Sequence, residues 1–151
     1  EAMLKRARLN FQEQLSDQRV VLQASDIMDI QLENASVVIL NYTLQFVPIK
    51  HRETLLRRIR SAMQPGDVLI LSEKLTLPDP QLNDYLIELH HNFKRQQGYS
   101  DLEIAQKRQA LEDVLIPETR DQHVERLHQV GFNRCDIWFQ CLNFASLIAI
   151  A

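Results

Sequence analysis

Glycine is scarce in this sequence. Gly66, Gly98 and Gly131 are its only glycines, and no two of them cluster. That rules out a dinucleotide-binding fingerprint and a Walker phosphate loop within the chain. Cysteine is scarcer still. Cys135 and Cys141 have neither the spacing nor the nearby histidine pair of a zinc site, so no metal is expected. They stand an even number of residues apart on one expected strand. They are predicted to share a face, too distant for an easy bridge, and to remain free thiols. A large charge of one sign is missing too. The formal net charge of -3 argues against a strong hold on nucleic acid. No apolar run is long enough for a membrane span, and no leader peptide is read at the start, so a cytoplasmic setting is expected. There is no nucleophile elbow, internal repeat, low-complexity segment or linker.

What is present has the balance of an ordinary globular protein, with 45% hydrophobic and 25% charged residues. Its 151 residues allow one domain with a real core, taken as 1–151. The chain opens inside a helical pattern, with Met3, Leu4, Ala7, Phe11 and Leu15 at helical spacing, and reads as a piece of a longer protein. Arg19 to Ile27 is predicted as a short strand. The run "ASVVILN" is predicted as a second, buried on both faces as in a parallel sheet. Leu55, Leu56, Ile59 and Met63 mark an amphipathic helix that Pro65-Gly66 stops, and "DVLILSEKL" supplies a third strand. This alternation predicts an α/β fold.

From about residue 80 to 116 the pattern turns helical. One helix closes at Gly98. The next has Ser100 and Glu103 in capping-box positions. A third, around "TRDQHVERLHQVGF", has Gly131 as its C-cap. The sequence ends in a predicted antiparallel strand pair with a tight turn near Leu142-Asn143.

Five places in the sequence carry chemistry worth weighing. Asp26 stands where a strand would run out at the carboxyl edge of a sheet. It can cap a turn or accept a hydrogen bond from a ligand, and position alone favours neither. Asn41 has the same ambiguity one strand along. Two polar strand ends side by side strengthen the case for a crevice site. Arg108 lies on a helix, where most arginines are solvated, yet its planar fork suits a carboxylate. His90-His91 point different ways on a helix and are read as surface or capping residues. Lys94-Arg95 reads as a solvated helix end complementing the dipole, with a substrate-anion site as the lesser alternative.

Several segments resemble a known family. "EAMLKRAR" resembles the helix after the second strand of class I S-adenosylmethionine-dependent methyltransferases, and "SDIMDI" resembles their acidic turn beside adenine. "NASVVILNYTLQF", "LILSEKL", "HHNFKRQQGYSDLEIAQKR" and "WFQCLNFASLIAI" are closer still to the carboxy-S-adenosyl-L-methionine synthases, which serve modification of the tRNA wobble uridine. The resemblance implies a Rossmann-like methyltransferase sheet lacking its first strands, with a helical insert at about 80–116 and a terminal antiparallel pair. It implies that Asp26 and Ile27 line the adenine side of S-adenosylmethionine. Asn41 would face the cofactor, and Arg108 would hold the extra carboxylate of carboxy-S-adenosyl-L-methionine. The implied reaction converts S-adenosylmethionine and prephenate to carboxy-S-adenosyl-L-methionine and phenylpyruvate. The implied assembly is a homodimer without direct nucleic-acid contact, and no catalytic base is assigned. The family's glycine-rich loop and ribose-binding acid would both precede Glu1, which predicts weak cofactor binding and little turnover by this chain alone. The alternatives are an ordinary methyltransferase acting on a small molecule or tRNA, and a non-catalytic fragment that self-associates through its helical insert.

Overall fold

The computed structural model describes residues 2–111 and 114–151. The chain divides into two compact units, Glu1–Gln31 and Leu32–Ala151.

In the first unit, the predicted opening helix is interrupted at Phe11. It forms α1 (Ala2–Asn10) and a short α2 (Gln12–Ser16), because Phe11 leaves helical geometry at φ -113° and ψ 28°. Neither piece buries a side chain, so packing does not enforce a continuous helix over the weak preference of a short one. Arg19 to Ile27 is not a strand. Its β-forming residues lie in extended chain without a ladder, and Val21 is 84% exposed. Strand propensity expresses itself only where backbone groups find a neighbouring strand.

The second unit holds one four-stranded sheet in the order β1-β2-β4-β3. The strands are β1 (Val37–Asn41), β2 (Val68–Lys74), β3 (Arg134–Cys141) and β4 (Phe144–Ile150). β1 and β2 run parallel, while β4 is antiparallel to both β2 and β3. The crossover between the parallel strands contains α3 (Ile49–Ser61), which buries Leu55, Leu56 and Ile59. Then come α4 (Pro80–Gln96), α5 (Asp101–Leu111) and α6 (Arg120–Gln129). Ser100 and Glu103 form the predicted capping pair, with Ser100 N–H donating to Glu103 Oε2 at 2.9 Å. Gly98 and Gly131 follow their helices at φ 91° and 101°, where glycine avoids the strain that a Cβ would bring.

The two sheet faces differ. Leu69, Leu71, Ala145, Leu147 and Ala149 stand on one face and are buried with Leu40. On the other, Val37 and Ile39 are each 57% exposed. β1 is therefore not buried on both faces as predicted. It is an edge strand with one covered side. The two cysteines are free thiols, but they do not share a face. The register of β3 shifts between Ile137 and Phe139, so Cys135 pairs with Ala149 and Cys141 with Phe144. One inserted residue reverses the side-chain alternation beyond it, which an even spacing does not reveal.

Candidate functional site

The carboxyl ends of the parallel strands meet the first residue of β4 at one sheet edge, the position where open α/β sheets form ligand crevices. A cavity of about 560 Å³ opens there within the second unit. Its floor comes from Tyr42 just after β1, Lys74 at the end of β2 and Phe144 at the start of β4. Tyr42 takes φ 50°, a left-handed conformation unusual for a bulky residue. Its N–H donates to Ser72 O at 2.8 Å, and its ring meets Phe144 edge-on at 5.9 Å. The chain then enters a single 3-10 turn, Leu44–Phe46, whose Gln45 and Phe46 also line the cavity.

The opposite wall is helical. His90, His91 and Lys94 come from α4, and Ile104, Lys107 and Arg108 from α5. Apolar surface thus faces four cations: Lys74, Lys94, Lys107 and Arg108. Among the described residues, no acidic side chain forms an ion pair with any of the four. Burial, together with Lys94 and Arg108, lowers the Lys74 ammonium from its ordinary range. His90 is held down at about 4 by burial and by Lys94, Lys74 and His91, so its imidazole is neutral near pH 7. Its ring packs against Phe144 at 4.8 Å. His91 is likewise lowered, chiefly by burial. Such a cavity is suited to an aromatic or otherwise apolar body bearing carboxylates.

Behind the floor lies a clamp. The Glu73 side chain is fully buried and accepts hydrogen bonds from the N–H groups of Thr43 (3.2 Å), Leu44 (2.8 Å) and Gln45 (3.0 Å). Burial raises its carboxyl to about 7 against the lowering effect of those three N–H groups and of Arg52. Arg52 is also fully buried. It donates to the Val47, Gln45 and Ile116 carbonyls at 2.8, 3.1 and 2.8 Å and pairs with Glu118, which Arg126 also grips.

Of the residues singled out in the sequence, Arg108 lines the cavity. Asn41 is exposed at the end of β1, next to the lining Tyr42. Asp26 and Ile27 belong to the first unit, where Asp26 Oδ1 accepts the Met28 N–H at 2.8 Å and caps a turn. His90 and His91, read as surface or capping residues, line the cavity, and so does Lys94, for which an anion site was the lesser reading. Lys74, Lys107 and Glu73 were not singled out. Glu73 had a signal: it occupies an inward step of the Leu69, Leu71, Leu75 alternation, where an acid is out of place.

No family model matches the chain. The chain is 53% identical over 150 residues to the carboxy-S-adenosyl-L-methionine synthase of Shewanella amazonensis, covering 99% of this chain and 62% of that protein. The synthase of Chromohalobacter salexigens is 50% identical over 147 residues, covering 97% of this chain and 54% of that one. Among solved structures, an O-methyltransferase family 2 protein from Planctomyces limnophilus, in complex with apigenin, superposes at a TM-score of 0.65 and 15% identity. That match covers 97% of this chain and 39% of the other. Human N-acetylserotonin methyltransferase, in complex with S-adenosylmethionine, gives 0.56 and 17%, over 85% of this chain and 32% of the other. The fold is thus that of the Rossmann-like S-adenosylmethionine-dependent methyltransferases. By sequence the chain is similar to carboxy-S-adenosyl-L-methionine synthases over nearly its full length, and it spans 62% or less of the length of these two curated relatives.

Proposed function

We propose that this chain carries the carboxylate-recognising part of a carboxy-S-adenosyl-L-methionine synthase, acting on S-adenosylmethionine and prephenate. The observation that carries the reading is the cavity wall of Lys74, Lys94, Lys107 and Arg108 set against Ile104 and Phe144. In the reaction, the sulfonium methyl group loses a proton and its carbon takes up the carbon dioxide that prephenate releases. The prephenate ring becomes aromatic as its hydroxyl departs, and hydroxyl and proton leave together as water. Phenylpyruvate remains. Carboxylates are present before and after the carbon dioxide transfer, so a wall of fixed cations stabilises the whole sequence.

In this reading Arg108 grips the carboxylate of the product in its bidentate fork, and the lysines hold those of prephenate. Asn41 faces the cofactor from the end of β1. The protein works as a cytoplasmic homodimer. Its pairing surface includes the exposed apolar side chains of α4 and α5, such as Tyr85 (61% exposed) and Leu102 (67%).

The test is mass spectrometry of any small molecule released on denaturing the purified protein. A mass equal to S-adenosylmethionine plus carbon dioxide supports the reading, provided that Arg108→Ala abolishes it. S-adenosylmethionine alone, retained equally by both proteins, would favour an ordinary methyltransferase.

A further inference from the structure

We propose that Glu73 is the positioning residue of the cavity. Its buried carboxylate holds the 43–45 turn and thereby sets Tyr42, Gln45 and Phe46 against Lys74 as one wall.

A 3-10 turn begins with N–H groups that have no partner inside the turn. Here Thr43, Leu44 and Gln45 all aim theirs at Glu73, two on Oε1 and one on Oε2. No side chain within the turn supplies that cap. The acceptor comes instead from β2, about thirty residues along the chain. The next residue of β2 is Lys74, which faces the cavity. Its N–H donates back to the Gln45 side-chain oxygen at 3.0 Å. Strand and turn are therefore tied in both directions. Each tie ends on a residue that lines the cavity or stands next to one that does.

Both carboxylate oxygens are needed. An ionised Glu73 accepts all three N–H groups. A protonated carboxyl presents an O–H toward a donor, and one side of the clamp opens. The charged groups near Glu73 are few. Arg52 reaches from α3 and shares its charge with Glu118. Lys74 lies beside it on β2, and the β4 partner in register is Ala145. Glu73 titrates at about 7, so the clamp is expected to loosen locally as pH falls through that value.

The inference concerns the site proposed above, but its first readout does not depend on that function. Amide hydrogen exchange is measured by NMR on the 15N-labelled chain between pH 5.5 and 8. After correction for intrinsic rates, protection at Thr43, Leu44 and Gln45 should rise at least fivefold through pH 7. Leu69 and Leu71 should change less than twofold. Glu73→Gln should lower the turn protection about tenfold and remove the step. Phenylpyruvate, titrated as an anionic probe, should bind the variant at least fivefold more weakly at pH 8. If wild-type protection is flat across pH and unchanged in Glu73→Gln, the clamp is refuted. If exchange behaves as expected but the probe binds both proteins equally, Glu73 has a structural role only and the positioning claim fails. If the wild type ignores phenylpyruvate while exchange behaves as expected, the clamp stands and the functional reading is the part that fails. If Glu73→Gln does not fold, the pH series on the unaltered chain decides.

Discussion

Two clusters of cations sit within the second unit, and they are built in opposite ways. Behind the turn, Arg52 and Arg126 share Glu118, and the remaining Arg52 donors end on backbone carbonyls. In the cavity, Lys74, Lys94, Lys107 and Arg108 converge without an acidic partner among the described residues. A cluster gripped by a carboxylate and by backbone carbonyls fixes the chain. An unmatched one stays partly in solvent, which screens its charge. Burial follows the same division: Arg52 is fully buried, whereas Arg108 is exposed. The same residue type is structural in one place and receptive in the other, and what separates them is whether the fold supplies the carboxylate.

The sharpest way to break this comparison is to remove the shared acid. Glu118→Ala removes the carboxylate that both guanidinium groups grip and leaves Arg52 with Glu73 as its nearby acid. That should cost about 3–5 kcal/mol, read as a shift of the urea midpoint. A loss below about 1 kcal/mol would mean that water already screens the cluster. The cavity should answer the other way. Arg108→Ala removes a partly solvated side chain from a helix and should change stability by less than about 0.5 kcal/mol. It should nonetheless weaken binding of an anionic ligand by about 1.5–3 kcal/mol, the usual value of hydrogen bonds to a charged group. A variant that loses stability and binding together would place Arg108 with the structural cluster.

The sequence made one side of this contrast much easier to read than the other. Local signals were readable: Ser100 with Glu103, the stripe of Leu55, Leu56 and Ile59, and the turn at Leu142-Asn143 all formed as expected. Each depends on residues within a few positions of one another. The failures were of longer range. Arg19 to Ile27 has strand composition but no ladder partner. β1 looks buried in sequence because an apolar run does not say which of its faces will be covered. The cavity cations come from β2, α4 and α5, and no periodicity links them. Arg52 and Glu118 lie 66 residues apart. Arg108 was singled out for its chemistry and for the family resemblance, while Lys74 and Lys107 sat in ordinary charged surroundings that gave no reason to choose them.

Beside the buried cluster stand two buried groups whose titrations oppose each other, and they give the smallest effect expected here. His123 is 2% exposed, neither ring nitrogen has a partner, and burial lowers it to about 4. The unfolded chain binds a proton at this imidazole below about 6.5 and the folded chain does not. From His123, stability is complete above 6.5 and is lost as pH falls toward 4. His90 acts in the same direction. Glu73 acts in the other, because its folded carboxyl is raised from 4.5 to about 7. Its contribution is complete below 4.5 and declines as pH rises through 7. In the window from about 4.5 to 6.5 the terms partly cancel, and the unaltered chain should show a shallow rise of stability with pH. Glu73→Gln should steepen that rise, and His123→Gln should flatten it, each by at most about 1.4 kcal/mol per pH unit. Urea midpoints at half-unit pH steps would read both slopes. Equal slopes in all three proteins would mean that neither group is held away from its unfolded value. Glu73 would then ionise near 4.5 as in the unfolded chain, and its clamp on the turn would be closed over the upper part of the window.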